Sequence, residues 1–316
     1  AHATNGADMT LPRIAICVVT YNSAPLIEEL TDSLRVGTED TDWVLIFADN
    51  ASSDNTVAEI SRCAPEATLI ETGANIGYSG GLNAAASAAG DVDAYLILNA
   101  DVRLTPGCVR TLFDTLSPSV GIAVPSLVDG DGALIWSMRR EPTLGRAWAD
   151  ALVGAERAGT IGTLGEIVTD PRLYTSARPT DWAEGSTQLI SAACWSANGS
   201  WDESYFLYSE ETDYDLRAGD AGFITMYQPA AVAQHLEGGS AASPQLWSLL
   251  VANRVRLYRQ RHGNVAGALF WLATAVREGT RALLGKETSR AAVRDLVSPK
   301  RMSQPRGPEW LAAVQR

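Results

Sequence analysis

Apolar residues along this chain come in short uniform runs, each ending in a knot of polar side chains. Arg13-Ile-Ala-Ile-Cys-Val-Val-Thr20 is β-branched and apolar nearly throughout. That pattern predicts a central parallel strand covered on both faces. It stops at Tyr21-Asn22-Ser23, where Ser23 is placed to cap a helix running to about Arg35 with Pro25 in its first turn. Trp43 to Ala48 repeats the pattern and ends in Asp49-Asn50 and Ser52-Ser53-Asp54, ahead of a second helix to about Cys63. A shorter strand, Thr68 to Glu71, leads into the glycine-rich loop Gly73 to Gly81 and an Ala-rich helix through Ala89. Tyr95-Leu-Ile-Leu-Asn99-Ala-Asp101 is the fourth run. With Pro106 and Gly107 following, Asn99 and Asp101 belong in a loop at the strand's carboxyl end, where open parallel sheets place ligands. Asp101 taken alone reads equally well as a cap for a helix starting near Pro106. Strand, polar loop and helix recurring at intervals of about 25 to 30 residues predict βαβ units and a parallel sheet with right-handed crossovers.

Beyond this repeat the pattern loosens. Gly121 to Pro125 reads as a strand, and Asp129-Gly-Asp-Gly132 as a hairpin turn leading to Ala133–Ser137. Residues 139–180 mix Gly, Pro and charge without a clean period, which predicts an insertion over the site with one short helix near Leu144–Val153. Order returns with Trp182-Ala-Glu-Gly185-Ser186 and a strand over Gln188–Trp195. Two amphipathic helices, Trp247–His262 and Ala266–Leu284, close the chain.

Composition narrows the function. At 46% hydrophobic and 20% charged residues over 316 positions, the chain can bury a sizeable core. A net charge of −12 argues against nucleic acid as a partner. The charge is uneven: from Trp247 onward there are 13 Lys or Arg against 4 Asp or Glu, leaving 12 against 33 before it. A basic last quarter fits a solvated helical face, or peripheral contact with an anionic membrane. Four scattered cysteines with no CxxC pair predict reduced thiols and a cytoplasmic protein, with the inner face of the plasma membrane as the place for any lipid contact. Ala1–Asp8 lacks the basic and apolar regions of a signal peptide, so residues 1–12 read as a disordered tail or cloning remnant ahead of a start at Met9.

The densest chemistry lies in Tyr205-Phe-Leu-Tyr208-Ser-Glu210-Glu211-Thr-Asp213-Tyr-Asp215, at the start of a helix to about Ala221. A helix dipole favours one or two of these acids. Their position directly after an aromatic run predicts a carboxylate at the edge of an apolar patch, whose raised pKa suits a general base. Asp213 and Arg217, four apart, could simply pair. His235 follows an apolar strand into a glycine turn, and beside two acid clusters it reads as a metal ligand. The glycine loop at Gly73–Gly81 has the wrong spacing for a dinucleotide fingerprint; it fits a phosphate or sugar approach, or tight helix-to-sheet packing.

Taken together, Val18-Val-Thr20-Tyr21-Asn22, Ala48-Asp49-Asn50 with Ser52-Ser53-Asp54, Asn75-Ile-Gly77-Tyr with Asn83, Leu98-Asn99-Ala-Asp101, Trp201 to Asp213 with Leu216-Arg217, and His235 resemble the family 2 inverting glycosyltransferases of the GT-A fold. The likeness spans about Ile14 to His262 and is strongest to rhamnosyltransferase-like and galactofuranosyltransferase-like members. It implies a Rossmann-like, mostly parallel α/β sheet flanked by helices, with residues 13–243 as catalytic domain and 244–316 as a basic helical extension. Residues 13–125 would form the nucleotide-sugar half and 126–243 the acceptor and base half. Thr20, Tyr21 and Asp49 would hold the nucleoside, with Asn22, Asn75, Gly77, Asn83 and Asn99 completing the donor side. Asp101 would be the last acid of the metal motif, joined by His235 on Mg²⁺ or Mn²⁺. The motif reads Asn99-Ala-Asp101, so a single carboxylate faces the cation. Glu211 would be the base, with Glu210 or Asp213 as alternatives; Trp182, Gly185, Glu210 and Asp213 fall on the acceptor side. The implied donor is a UDP- or dTDP-sugar, dTDP-rhamnose among them, and the acceptor a glycan or lipid-linked hydroxyl of the cell envelope. A homo-oligomer is compatible with the basic helices. Rival readings are a sugar nucleotidyltransferase, although Val18–Ser23 has no Arg or Lys for a triphosphate, and a non-catalytic nucleotide-sugar scaffold.

Overall fold

A computed structural model describes residues 11–236 and 243–312. The chain begins with β1 (Arg13–Thr20), α1 (Ile27–Gly37), β2 (Asp42–Asp49), α2 (Thr56–Cys63), β3 (Thr68–Glu71), α3 (Gly77–Ser87) and β4 (Ala94–Asn99). β1 pairs parallel with both β2 and β4, and β2 with β3, as the repeating pattern requires. Side-chain alternation divides β1 between two layers. Ile14, Ile16 and Val18 pack with Ile27, Leu30 and Leu34 of α1, while Ala15 and Cys17 pack with Leu82 and Ala85 of α3.

The next elements are β5 (Val102–Leu104), α4 (Cys108–Thr115), β6 (Val120–Val128), β7 (Met138–Arg139), α5 (Leu144–Val153) and α6 (Ala155–Thr160). They are followed by β8 (Arg178–Thr180), β9 (Trp182–Ala183), β10 (Thr187–Ser191), α7 (Ala192–Asn198), α8 (Glu210–Asp220) and β11 (Ile224–His235). Among the described residues the main sheet runs β3-β2-β1-β4-β10-β6-β11-β5, with β8 also on β11. β10 is antiparallel to β4 and β6, and β5 is antiparallel to β11, so the sheet is mixed beyond β4. The carboxyl ends of β1, β2 and β4 still share one rim, which is what places the site.

Several local expectations change. Gln188–Trp195 is not one strand. β10 ends at Ser191, whose Oγ accepts the Cys194 amide at 3.1 Å and starts α7, so the same run continues as a helix that buries Cys194. Ser23 makes no cap: a 3₁₀ turn, Ala24–Leu26, precedes α1, and the Ser23 amide donates to Thr56 Oγ1 at 2.7 Å. The Asp129–Gly132 turn forms, but Ala133–Ser137 makes only the bridge Leu134–Val128 rather than a strand. Asp101 caps no helix, because β5 intervenes and α4 begins only after Gly107 in the left-handed region (φ 67°).

The chain ends in α9 (Pro244–Leu283), α10 (Glu287–Leu296), α11 (Pro299–Ser303) and α12 (Pro308–Ala312). α9 is two helices meeting at Gly263 (φ 81°), the break expected between His262 and Ala266. Its first half packs Leu249 and Ala252 against Phe206 and Trp310. Among the described residues no helix is long and apolar enough to cross a membrane. The glycine turn expected after Leu236 lies outside the described residues, as do residues 1–10.

Candidate active site

Polar residues at the strand ends assemble into three connected groups. In the first, Asp49 Oδ1 accepts the hydroxyls of Thr20 (2.9 Å) and Ser52 (2.6 Å), with Thr20 and Asp49 both buried. Asn22 locks the neighbouring turn through Ser52 Oγ and Ser53 N, while Tyr21 stands exposed beside it. Asn50 Nδ2 donates to the Gly77 carbonyl (2.8 Å), and Asn75 Oδ1 accepts the Gly77 amide (3.1 Å), so the glycine loop is tied to the β2 end. Gly77 has φ 82°, and a Cβ there would lie 2.4 Å from the Phe206 carbonyl oxygen. Only glycine meets both conditions. Asn83 faces elsewhere: its amide bonds Trp201 and Glu203 and fastens α3 to the 201–205 segment.

The second group is set by the β5–β11 ladder. Register pairs His235 with Val102, and the Leu236 amide donates to the Asp101 carbonyl at 3.0 Å. His235 Nε2 thereby comes within 3.3 Å of Asp101 Oδ1, and its Nδ1 within 3.7 Å of Glu184 Oε1. The β5–β11 ladder thus brings together two residues far apart in sequence.

The third group opens α8. Phe206, Tyr208 and Ser209 all have positive φ (66°, 70° and 72°), a cost of roughly 1–2 kcal/mol each for L-residues. Buried Asn253 of α9 holds this loop, its Nδ2 donating to the carbonyls of Tyr205, Leu207 and Tyr208 at 2.9–3.0 Å. The loop delivers Glu210 and Glu211 to the wall of a cavity of about 470 Å³. Asn99, Trp182, Glu184 and Gly185 line the same cavity. Burial pushes the Glu211 carboxyl up to about 7, with Glu184 adding to the effect and Arg139 opposing it. Burial, then the Glu211 charge, hold Glu210 well above the usual carboxylate range, and among the described residues its Oε2 has no hydrogen-bond partner. Asp213 does not line the cavity: it is ion-paired with Arg217 at 2.7 Å. Nor do Thr20, Tyr21, Asn22, Asp49, Asn75, Gly77, Asn83, Asp101 or His235 line it.

Three contributors were not singled out by sequence. Glu184 sits between Trp182 and Gly185 in a motif whose acid deserved weight, since it touches both His235 and the cavity. Arg139 stacks 5.7 Å over Trp182 and gives its guanidinium to the Trp136 and Met138 carbonyls. Arg254, read only as part of a basic helix, turns inward and pairs with Glu166 of the insertion at 2.5 Å. Gly185 is a packing constraint on the acid opposite: a Cβ there would lie 2.9 Å from Glu211 Cβ and 3.2 Å from Cγ. Gly185→Ala should therefore displace Glu211, lowering kcat about tenfold or more while costing only about 1–3 kcal/mol of stability. Steady-state rates beside a urea melt separate the two effects.

The sequence profile of Glycosyl transferase family 2 matches residues 15–160. Over 234 residues the chain is 32% identical to the N-acetylglucosaminyl-diphospho-decaprenol L-rhamnosyltransferase of Mycobacterium tuberculosis, covering 70% of this chain and 75% of that protein. The chain belongs to glycosyl transferase family 2. A second relative, the low-salt glycan biosynthesis hexosyltransferase Agl10 of Haloferax volcanii, is 27% identical over 213 residues, 66% of this chain and 62% of its own. In fold the chain is similar to the mannosyltransferase PcManGT of Pyrobaculum calidifontis, solved in complex with GDP-Man and Mn²⁺. That likeness has a TM-score of 0.56 at 17% identity and covers 96% of this chain and 86% of the other. As a family 2 member with a GT-A sheet, this protein is a nucleotide-sugar glycosyltransferase, and the nucleotidyltransferase and scaffold readings fall away.

Proposed function

We propose that this enzyme transfers a hexosyl group, with inversion, from a nucleoside-diphosphate sugar to a hydroxyl of a lipid-linked acceptor, with dTDP-rhamnose the first donor to test. The observation that carries the reading is Glu211, whose carboxyl is raised to about 7 on the wall of a cavity that also reaches Asn99 and Glu184. A carboxylate with that proton affinity is matched to abstracting a hydroxyl proton near neutral pH. The acceptor oxygen then attacks the anomeric carbon as the bond from that carbon to the donor's phosphate oxygen breaks, and the electron pair departs with the nucleoside diphosphate. Glu210, buried and holding its proton more tightly, is poorly suited to be the base. Trp247, Leu250 and Leu257 of α9 give the cavity an apolar wall. The decaprenol-linked substrate in the mycobacterial relative's name supports a lipid-linked acceptor.

Asp101 and His235 fit a divalent cation. A carboxylate oxygen and an imidazole nitrogen 3.3 Å apart form a donor set suited to Mg²⁺ or Mn²⁺. Among the described residues no group of three or more His, Cys, Asp or Glu could hold a metal ion, so the protein would leave positions for the donor's phosphates and water. A bound cation would supply Lewis-acid neutralisation of the charge that builds on the leaving nucleoside diphosphate.

A thermal-shift panel of dTDP-, UDP- and GDP-sugars, with and without Mn²⁺, tests donor binding. At ligand a hundredfold above Kd, stabilisation of about 2.7 kcal/mol is expected for the cognate donor with Mn²⁺. An unchanged Tm with every nucleotide-sugar would overturn the donor assignment.

A further inference from the structure

A second cavity, about 830 Å³, lies behind α9. Leu250, Arg254 and Leu257 of that helix line the active-site cavity, whereas Val255, Arg256, Arg259 and Gln260 line this one. At about 100° per residue the two sets point in nearly opposite directions. The far wall is α11 and the Pro305-Arg306 segment that follows it.

Arg256, Arg259 and Arg306 carry its charge, and no Asp or Glu is among its lining residues. This contrasts with the active-site cavity, where Arg254 meets Glu166 and Arg277 meets Asp150. Arg306 gives Nε to Asn253 Oδ1 at 3.1 Å and its outer nitrogens to the Met302 and Gln304 carbonyls, and lies 4.4 Å over the Trp310 ring. Arg256 donates to the Ser204 carbonyl (2.7 Å) and hydroxyl (2.6 Å). Arg259 is exposed and spends only Nε, on Asn264. Burial, with Arg256 and Arg301 nearby, lowers Arg306 to about 10, so positive charge is held here against mutual repulsion. Arg256 and Arg306 supply charge with their forks already committed, whereas Arg259 presents its outer guanidinium nitrogens in a groove without counter-charge, a match for the oxygens of a phosphate.

An apolar stripe begins beside it. Val265, Leu269 and Leu272, at helical spacing from the residue after Asn264, are all exposed, Val265 at 79%. Arginines flanked by exposed aliphatic side chains are the arrangement of a helix lying in a membrane interface.

We propose that the Arg256–Arg259–Arg306 groove binds a phosphate group from outside the chain, and the adjoining apolar stripe favours a phospholipid headgroup over free phosphate as its source. This site is separate from the transfer reaction, and its test reads binding rather than activity, so either reading can fail without the other. The groove also touches the catalytic loop's support, since Arg256 bonds Ser204 and Arg306 bonds the Asn253 that holds residues 205–208.

The test is flotation of the full chain with vesicles of phosphatidylcholine alone or with a third phosphatidylglycerol, comparing wild type, Arg259→Glu, and Lys286→Glu, which makes the same charge change outside the groove. A parallel thermal shift uses inorganic phosphate. Wild type should float with the anionic vesicles only, Arg259→Glu should lose about tenfold or more of that binding, and Lys286→Glu should keep most of it. If instead only inorganic phosphate binds, raising the wild-type Tm but not that of Arg259→Glu, the groove stands with free phosphate as its ligand. Equal losses in the two variants, or no response to vesicles or phosphate, would overturn the proposal.

Discussion

Glu211→Gln is expected to bind nucleotide-sugar like wild type and to lose transfer, with kcat falling about 10²–10⁴-fold, the usual contribution of a general base. Glutamine keeps the shape of the side chain and its place at the start of α8, so donor-induced thermal stabilisation should persist. The same residue sets the pH response. As a base Glu211 must be deprotonated, and its carboxyl is raised to about 7, so kcat/KM should climb with pH through that value and fall away below it. Stability runs the other way. Between the ordinary value of 4.5 and about 7 the folded state holds a proton that the unfolded chain has released. The stabilisation tied to that proton is fully present below 4.5 and is lost as pH rises through about 7. Glu211→Gln should therefore be more stable than wild type at pH 8, by an amount on the order of 1–3 kcal/mol, while being nearly inactive. Urea melts at pH 5 and 8 alongside initial rates check both signs, and a glutamine variant that transfers sugar at the wild-type rate would remove Glu211 from the base role.

Asp101→Ala should abolish the dependence of rate on divalent cation. Losing several kcal/mol of charge stabilisation at the leaving group corresponds to about 10²–10⁴-fold in kcat, and added Mn²⁺ should not restore it. The fold should survive, because β5 is held by its ladder to β11 and not by the Asp101 side chain. Chelation of wild type with EDTA should give the same loss, reversed by Mn²⁺. A rate titrated against Mn²⁺ checks all three, and an alanine variant with the wild-type metal response would place the cation elsewhere.

The first four strands and the rim of polar residues at their carboxyl ends were legible in sequence because local periodicity fixes them. β1 needs only its own apolar run to be a central strand, and Asp49 and Asn99 follow from where such runs stop. What was not legible depends on pairing between distant segments. The 188–195 run read as one strand, and the Ser191 cap turns its second half into a helix. Asn253, an amide in the middle of a basic helix, gives no sign that it holds the loop with three positive-φ residues ahead of Glu211. Arg254 looked like surface charge because its partner, Glu166, lies in an insertion without periodicity. The Asp213–Arg217 pair, by contrast, was legible from its four-residue spacing, while the cavity that Glu211 lines and Asp213 does not was not.

The central claim is a single displacement driven by one base, and the configuration of the new bond reads it most directly. After transfer from an accepted nucleotide-sugar, ¹H NMR of the product should show the anomeric centre inverted relative to the donor. Retention of configuration would require a different chemistry at this site and would contradict the role given to Glu211.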